Sequence, residues 1–160
     1  MQYQTKQTPL RDRRQTSDEI KRLIREYHGD LENIFVRVSG ALVPVARLPF
    51  DRYYDFVRML RYTRDTEPVE EVGRPSWIID KCGNTGRGMD CKKKACMIGA
   101  YLHHHGIPFR LVGSSTRPDK QIHHIFPQAK LSGDEWINVD ATYSNYRIGM
   151  TKTVTTKEIL

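Results

Sequence analysis

MDCKKKACMIGAYLHHHGIPFRLVG, residues 89–113, decides how this chain folds. Cys91, Ala95, Ile98, Gly99 and Leu102 fall on one face at helical spacing, Gly106 supplies the stop, and Pro108 forbids a return to helix. Phe109 to Ser114 then reads as a strand. Downstream, residues 121–131 read as a second strand and 135–141 as a third, joined by a hairpin around Ser132, Gly133 and Asp134.

Upstream the spacing is helical. Thr16 and Glu19 have the form of a capping box ahead of Ile20, Leu23, Ile24 and Tyr27. Leu31, Ile34, Phe35, Val38 and Leu42 extend the same period to a stop at Pro44. Asp51 is placed to cap a third helix with Tyr53, Val57 and Leu60 inward. Residues 64–90, with two prolines and four glycines, read as an irregular loop of the kind that lines sites. Helices first and strands last make an α+β class. At 160 residues the chain has room for one domain, placed at 16–146, between a mobile basic arm at 1–15 and an unassigned tail at 147–160.

The chemistry gathers at Cys91. A helix entrance presents unpaired N–H groups and the positive end of the macrodipole, and Lys92, Lys93 and Lys94 add positive charge, so the thiolate is favoured there. Cys96 lies deeper in the helix and Cys82 in the loop, where structural roles are the expectation. Three cysteines cannot all pair within one chain, and the opening MQYQTKQTPLRDRR lacks the apolar core of an export signal, so reduced thiols are expected.

A thiolate nucleophile needs an imidazole to carry its proton, and the imidazole needs an acceptor. His123, His124 and Asp140 are the candidates. Alternation allows only one histidine to share a face with Asp140. A three-residue loop at 132–134 sets Phe126 opposite Asp140 and selects His124, whereas a two-residue loop at Gly133 and Asp134 selects His123.

The segments MDCKKKACMIGAYLHHHGIPFRLVG, HHIFPQAKL at 123–131 and EWINVDATY at 135–143 together resemble the transglutaminase-like cysteine peptidase superfamily, and look most like its small bacteriophage-encoded versions. IKRLIRE at 20–26 and FVRMLRYTRDTEPVEEVGRPSWII at 56–79 are similar in kind to segments preceding that core. The resemblance implies a papain-like α+β fold, with a cysteine-bearing helix packed on an antiparallel sheet. It matches Cys91 to the nucleophile, His124 to the base and Asp140, four residues after Trp136, to the orienting carboxylate. It also implies amide or isopeptide acyl transfer, with hydrolysis ahead of protein cross-linking, on a peptide, protein or peptidoglycan substrate. No metal or organic cofactor is required, and the host cytoplasm or a virion is the implied location. The oxyanion hole would draw on the Cys91 N–H and a donor from the preceding loop, Trp77 or Asn84. Lys92 and Lys93 depart from the acidic residues usual in the family just after the cysteine.

Other classes fit less well. The histidines at 103–105 point about 100° apart on a helix and no CxxC pair accompanies them, so a solvated helix end is expected rather than a metal site. The net charge of +7 suits an acidic partner, but no nucleic-acid recognition motif comes with it, leaving a basic binding module as the non-catalytic alternative. No apolar run reaches the roughly 20 residues that span a membrane.

Overall fold

The computed structural model describes residues 13–64, 71–83, 89–154 and 156–160. The first helix, α1 (Arg13–Tyr27), starts three residues before Thr16, so Thr16 and Ser17 are buried within it instead of capping it. The expected arm therefore overlaps this helix at residues 13–15, and the rest of it lies outside the described residues. Ile20, Leu23 and Ile24 are buried as their spacing requires.

Residues 31–42 do not form the second helix. A 3-10 turn at His28–Asn33 leads into a separate hairpin of β1 (Phe35–Val38) and β2 (Ala41–Pro44). Ser39 and Gly40 join the strands with φ of 48° and 85°, the left-handed pair of a two-residue hairpin turn, and Val36, Val38 and Val43 favour extended backbone. The apolar spacing fits both periods, and the turn chemistry wins. In α2 (Phe50–Met59), Asp51 sits inside the first turn and Pro49 takes the cap position. The loop expected over 64–90 contains α3 (Pro75–Ile78), continued by a π turn at Ile79–Gly83.

The central helix is α4 (Cys91–His104), and it is buried on nearly every side from Lys93 to Leu102, not on one face. It packs against α1, α2 and the sheet. Gly99 lies under Ile24 of α1: a Cβ there would stand 2.4 Å from Ile24 Cδ1, so a larger residue forces that side chain or the helix to shift. Gly106, at φ 64°, ends the helix where the sequence indicates.

The sheet is antiparallel, in the order β5-β4-β3-β6, with β3 at Phe109–Ser115, β4 at His124–Ala129, β5 at Ile137–Asn138 and β6 at Thr156–Ile159. The tail left unassigned by its sequence thus supplies an edge strand. Leu111, Ile125, Ala129 and Val139 enter the core shared with the helices. The alternate face carries Val112 opposite Phe126 and Ser114 opposite His124. Gln128 pairs with Asn138, and Val139 N–H donates to the Pro127 carbonyl at 3.0 Å. That register sets position 126 opposite 140, as a three-residue hairpin loop requires.

Asp30, buried on the 3-10 turn, ties α3 to the helices. Its carboxylate accepts from the Arg74 guanidinium and from Ser76 Oγ at 2.6 Å and N–H at 3.1 Å, and these partners hold it below its ordinary pKa of 3.8 against the effect of burial. Asp30→Ala strands these donors and should lower unfolding free energy by about 2–3 kcal/mol, measured by urea denaturation.

Candidate active site

Asp90 fixes the start of α4. Its Oδ1 accepts the N–H groups of Lys92 at 3.1 Å and Lys93 at 3.2 Å, which is N-capping in its ordinary form, and its Oδ2 pairs with Lys92 Nζ at 2.7 Å. Cys91 is thereby the first residue of the helix, partly exposed, with its N–H not taken by the cap. The lysines do not all face the mouth of the site. Lys93 and Lys94 are 0% and 1% exposed, and Lys94 Nζ donates to the carbonyls of Arg58 and Thr142, each at 3.0 Å. Burial brings Lys94 down to about 8 in spite of nearby Asp140. Its work is to fasten the segment after Asp140 to the helix that carries Cys91.

His124 and Asp140 are 3% and 0% exposed, and His124 Nε2 meets Asp140 Oδ2 at 2.7 Å. The Cys91 side chain is close enough to the imidazole to help raise its pKa. The site thus has a partly exposed cysteine at the helix entrance and a buried ring paired with a buried carboxylate. The Phe126 ring stacks near His124 at 5.5 Å between centroids and restricts its rotation. Burial alone would depress the His124 pKa, but hydrogen bonds and charge from Asp140 and Cys91 lift it to about 9. Burial likewise works against the Asp140 carboxylate. His124, Thr142 and Thr151 outweigh it and keep the acid below its ordinary 3.8. At neutral pH the pair is imidazolium and carboxylate.

Asp140 is held from four sides. Oδ1 accepts Thr142 N–H at 3.1 Å, and Oδ2 accepts the Thr151 hydroxyl at 2.7 Å alongside His124. The backbone carbonyl of Asp140 accepts the Tyr54 hydroxyl at 2.8 Å. Thr151 comes from the aperiodic tail and Tyr54 from a distant helix, so no motif in the sequence points to either. Thr151→Val removes one donor from Asp140 and keeps the shape; we expect about a tenfold loss of any activity that depends on His124. A turnover assay beside a fold control checks it.

The remaining candidates lie elsewhere. His123 is turned away from Asp140, with Nε2 at 3.1 Å from Thr116 Oγ1 and Nδ1 at 3.2 Å from the Gln121 carbonyl. Trp77 lies against Gly73, whose carbonyl meets Cys96 Sγ at 3.7 Å. Asn84 is outside the described residues. Cys82 and Cys96 are buried, and burial pushes Cys96 up to about 12. The helix end at 103–105 is not simply solvated: His104 Nδ1 meets His28 Nδ1 at 3.0 Å, its Nε2 meets Glu32 at 3.1 Å, and His105 Nε2 donates to the Ala46 carbonyl at 2.7 Å. Among the described residues no group of three His, Cys, Asp or Glu side chains is arranged to hold a metal ion, and no helix is long and apolar enough to cross a membrane.

An α+β fold with cysteine at a central helix entrance, histidine opening one strand and aspartate just past its neighbour defines a class. The chain belongs to the transglutaminase-like superfamily, whose core model matches residues 47–141. No curated protein is similar enough to match it. Among solved structures, calcium-bound LapG of Legionella pneumophila is similar, with a TM-score of 0.47 and 18% identity, covering 82% of this chain and 75% of that one.

Proposed function

We propose that this protein is a thiol-dependent acyl-transfer enzyme acting on amide or isopeptide bonds, and that its reaction is hydrolysis. The observation that carries the reading is the buried His124–Asp140 pair at 2.7 Å, with partly exposed Cys91 at the entrance of α4 close enough to raise the His124 pKa.

In this reading the Cys91 thiolate attacks the carbonyl carbon, and the Cys91 N–H, left outside the Asp90 cap, supports the oxyanion. The His124 imidazolium gives its proton to the departing amine as the C–N bond breaks, leaving a thioester. Neutral His124 then takes a proton from water, whose oxygen displaces the sulfur and releases a carboxylic acid. Asp140 keeps the ring aligned and stabilises its positive form throughout. Candidate substrates are peptide, protein or peptidoglycan amides, and the net charge of +7 favours acidic ones.

The test is amide turnover on a pool of peptides, with products identified by mass spectrometry in the presence and absence of excess primary amine. New carboxylates that disappear in Cys91→Ala support hydrolysis. Amine-capped products in their place would make the enzyme a cross-linking transglutaminase, and turnover surviving Cys91→Ala would end the thiol mechanism.

A further inference from the structure

Beside Cys91 lies a run of half-buried tyrosines that the reaction itself does not use. Thr63 N–H donates to the Met89 carbonyl at 3.3 Å, which lays the Tyr62 segment along the approach to Cys91. Burial, with Cys91 and Tyr143 nearby, pushes the Tyr62 phenol up to about 12. From there the rings continue: Tyr62 to Tyr143 at 5.0 Å between centroids, and Tyr143 to Tyr146 at 5.2 Å, edge to face. Lys152 Nζ stands 5.0 Å from the Tyr143 ring, immediately after the Thr151 that holds Asp140.

The ledge is braced. Tyr146 N–H closes a turn on the Tyr143 carbonyl at 3.0 Å, and the Arg58 guanidinium of α2 donates to the Ser144 carbonyl within that turn. Rings held this way lose little freedom when another flat group is laid on them, and aromatic pairs gain about 0.5–1.5 kcal/mol beyond the area they bury. All three phenols remain partly exposed, so the surface is open to a ligand.

We infer that Tyr62, Tyr143 and Tyr146 form the subsite for the residue on the acyl side of the scissile amide, that this residue is ring-bearing, and that Lys152 selects against a basic one. The inference rests on the thiol reading above. The acyl side is assigned because the Tyr62 segment is bonded to Met89, two residues before the sulfur that bonds to the acyl carbon, whereas the leaving amine departs toward His124.

The test uses chloromethyl ketones, in which the Cys91 sulfur forms a bond to the methylene carbon and chloride leaves, so no turnover is needed. Second-order rates for N-acetyl-phenylalanyl, N-acetyl-alanyl and N-acetyl-lysyl chloromethyl ketones are each divided by the same reagent's rate with glutathione, and iodoacetamide is run in parallel. The phenylalanyl reagent should be at least about fivefold faster than the alanyl and the lysyl slowest, with Tyr143→Ala erasing the phenylalanyl advantage. Equal normalised rates in the wild type, or an advantage that survives Tyr143→Ala and Tyr146→Ala, would overturn the subsite while leaving a Cys91 that reacts with iodoacetamide intact. A Cys91 inert to every reagent would overturn the thiol reading and the subsite with it.

Discussion

His124→Gln should lower amide turnover by about 10³-fold or more, while His123→Gln leaves it within about threefold. Adjacent histidines on one strand face opposite ways. His124 is paired with Asp140, whereas His123 is bonded to Thr116 and the Gln121 carbonyl. Glutamine is polar and of similar length, so the loss reads the missing proton carrier rather than a cavity. Comparable losses in both variants would place the effect in strand integrity, since both residues flank the start of β4.

Asp140 carries the second large effect. Asp140→Asn keeps the shape and the Thr142 contact but removes the charge that holds the imidazolium, and should reduce turnover by about 10²- to 10⁴-fold. It should also move the alkaline limb of kcat/KM. In the wild type that limb should lie near pH 9, where His124 would lose its proton, and without the carboxylate it should fall toward the ordinary histidine value of 6.5. Asp140→Ala leaves a buried ring facing an empty site and should cost about 3–5 kcal/mol of stability.

The same pair sets a stability profile. A histidine raised from 6.5 to about 9 in the folded state contributes stability that is complete below 6.5 and is lost as pH climbs through about 9. An aspartate held below 3.8 contributes stability that is complete above 3.8 and is lost as pH falls through its lowered value. Their joint contribution is therefore largest between about pH 4 and 6.5. Urea midpoints of wild type and Asp140→Asn, compared at pH 5.5 and 9.5, should differ more at the lower pH.

Much of this was legible before the fold was. Helix and strand periods located α4, β3 and β4, but they left two loop lengths open before Glu135, and the strand pairing realises the one that puts His124 on the Asp140 face. The hairpin at Phe35–Pro44 was not, because apolar residues three and four apart satisfy a helix while Ser39–Gly40 satisfies a turn, and only one can be realised. The lysines after Cys91 read as positive charge favouring its thiolate. Two of them are buried because the helix is enclosed on all sides, which a one-faced spacing does not reveal. Thr151 and Tyr54 reach Asp140 across 11 and 86 residues, and no local pattern encodes contacts at such separations.

The most direct test is alkylation of the intact protein by iodoacetamide across pH, resolved cysteine by cysteine by peptide mass spectrometry. Cys91 should react at least about 100-fold faster than buried Cys82 and Cys96 near neutral pH, and His124→Gln should remove most of that advantage. Slow, equal labelling of all three cysteines, unchanged in His124→Gln, would contradict the account.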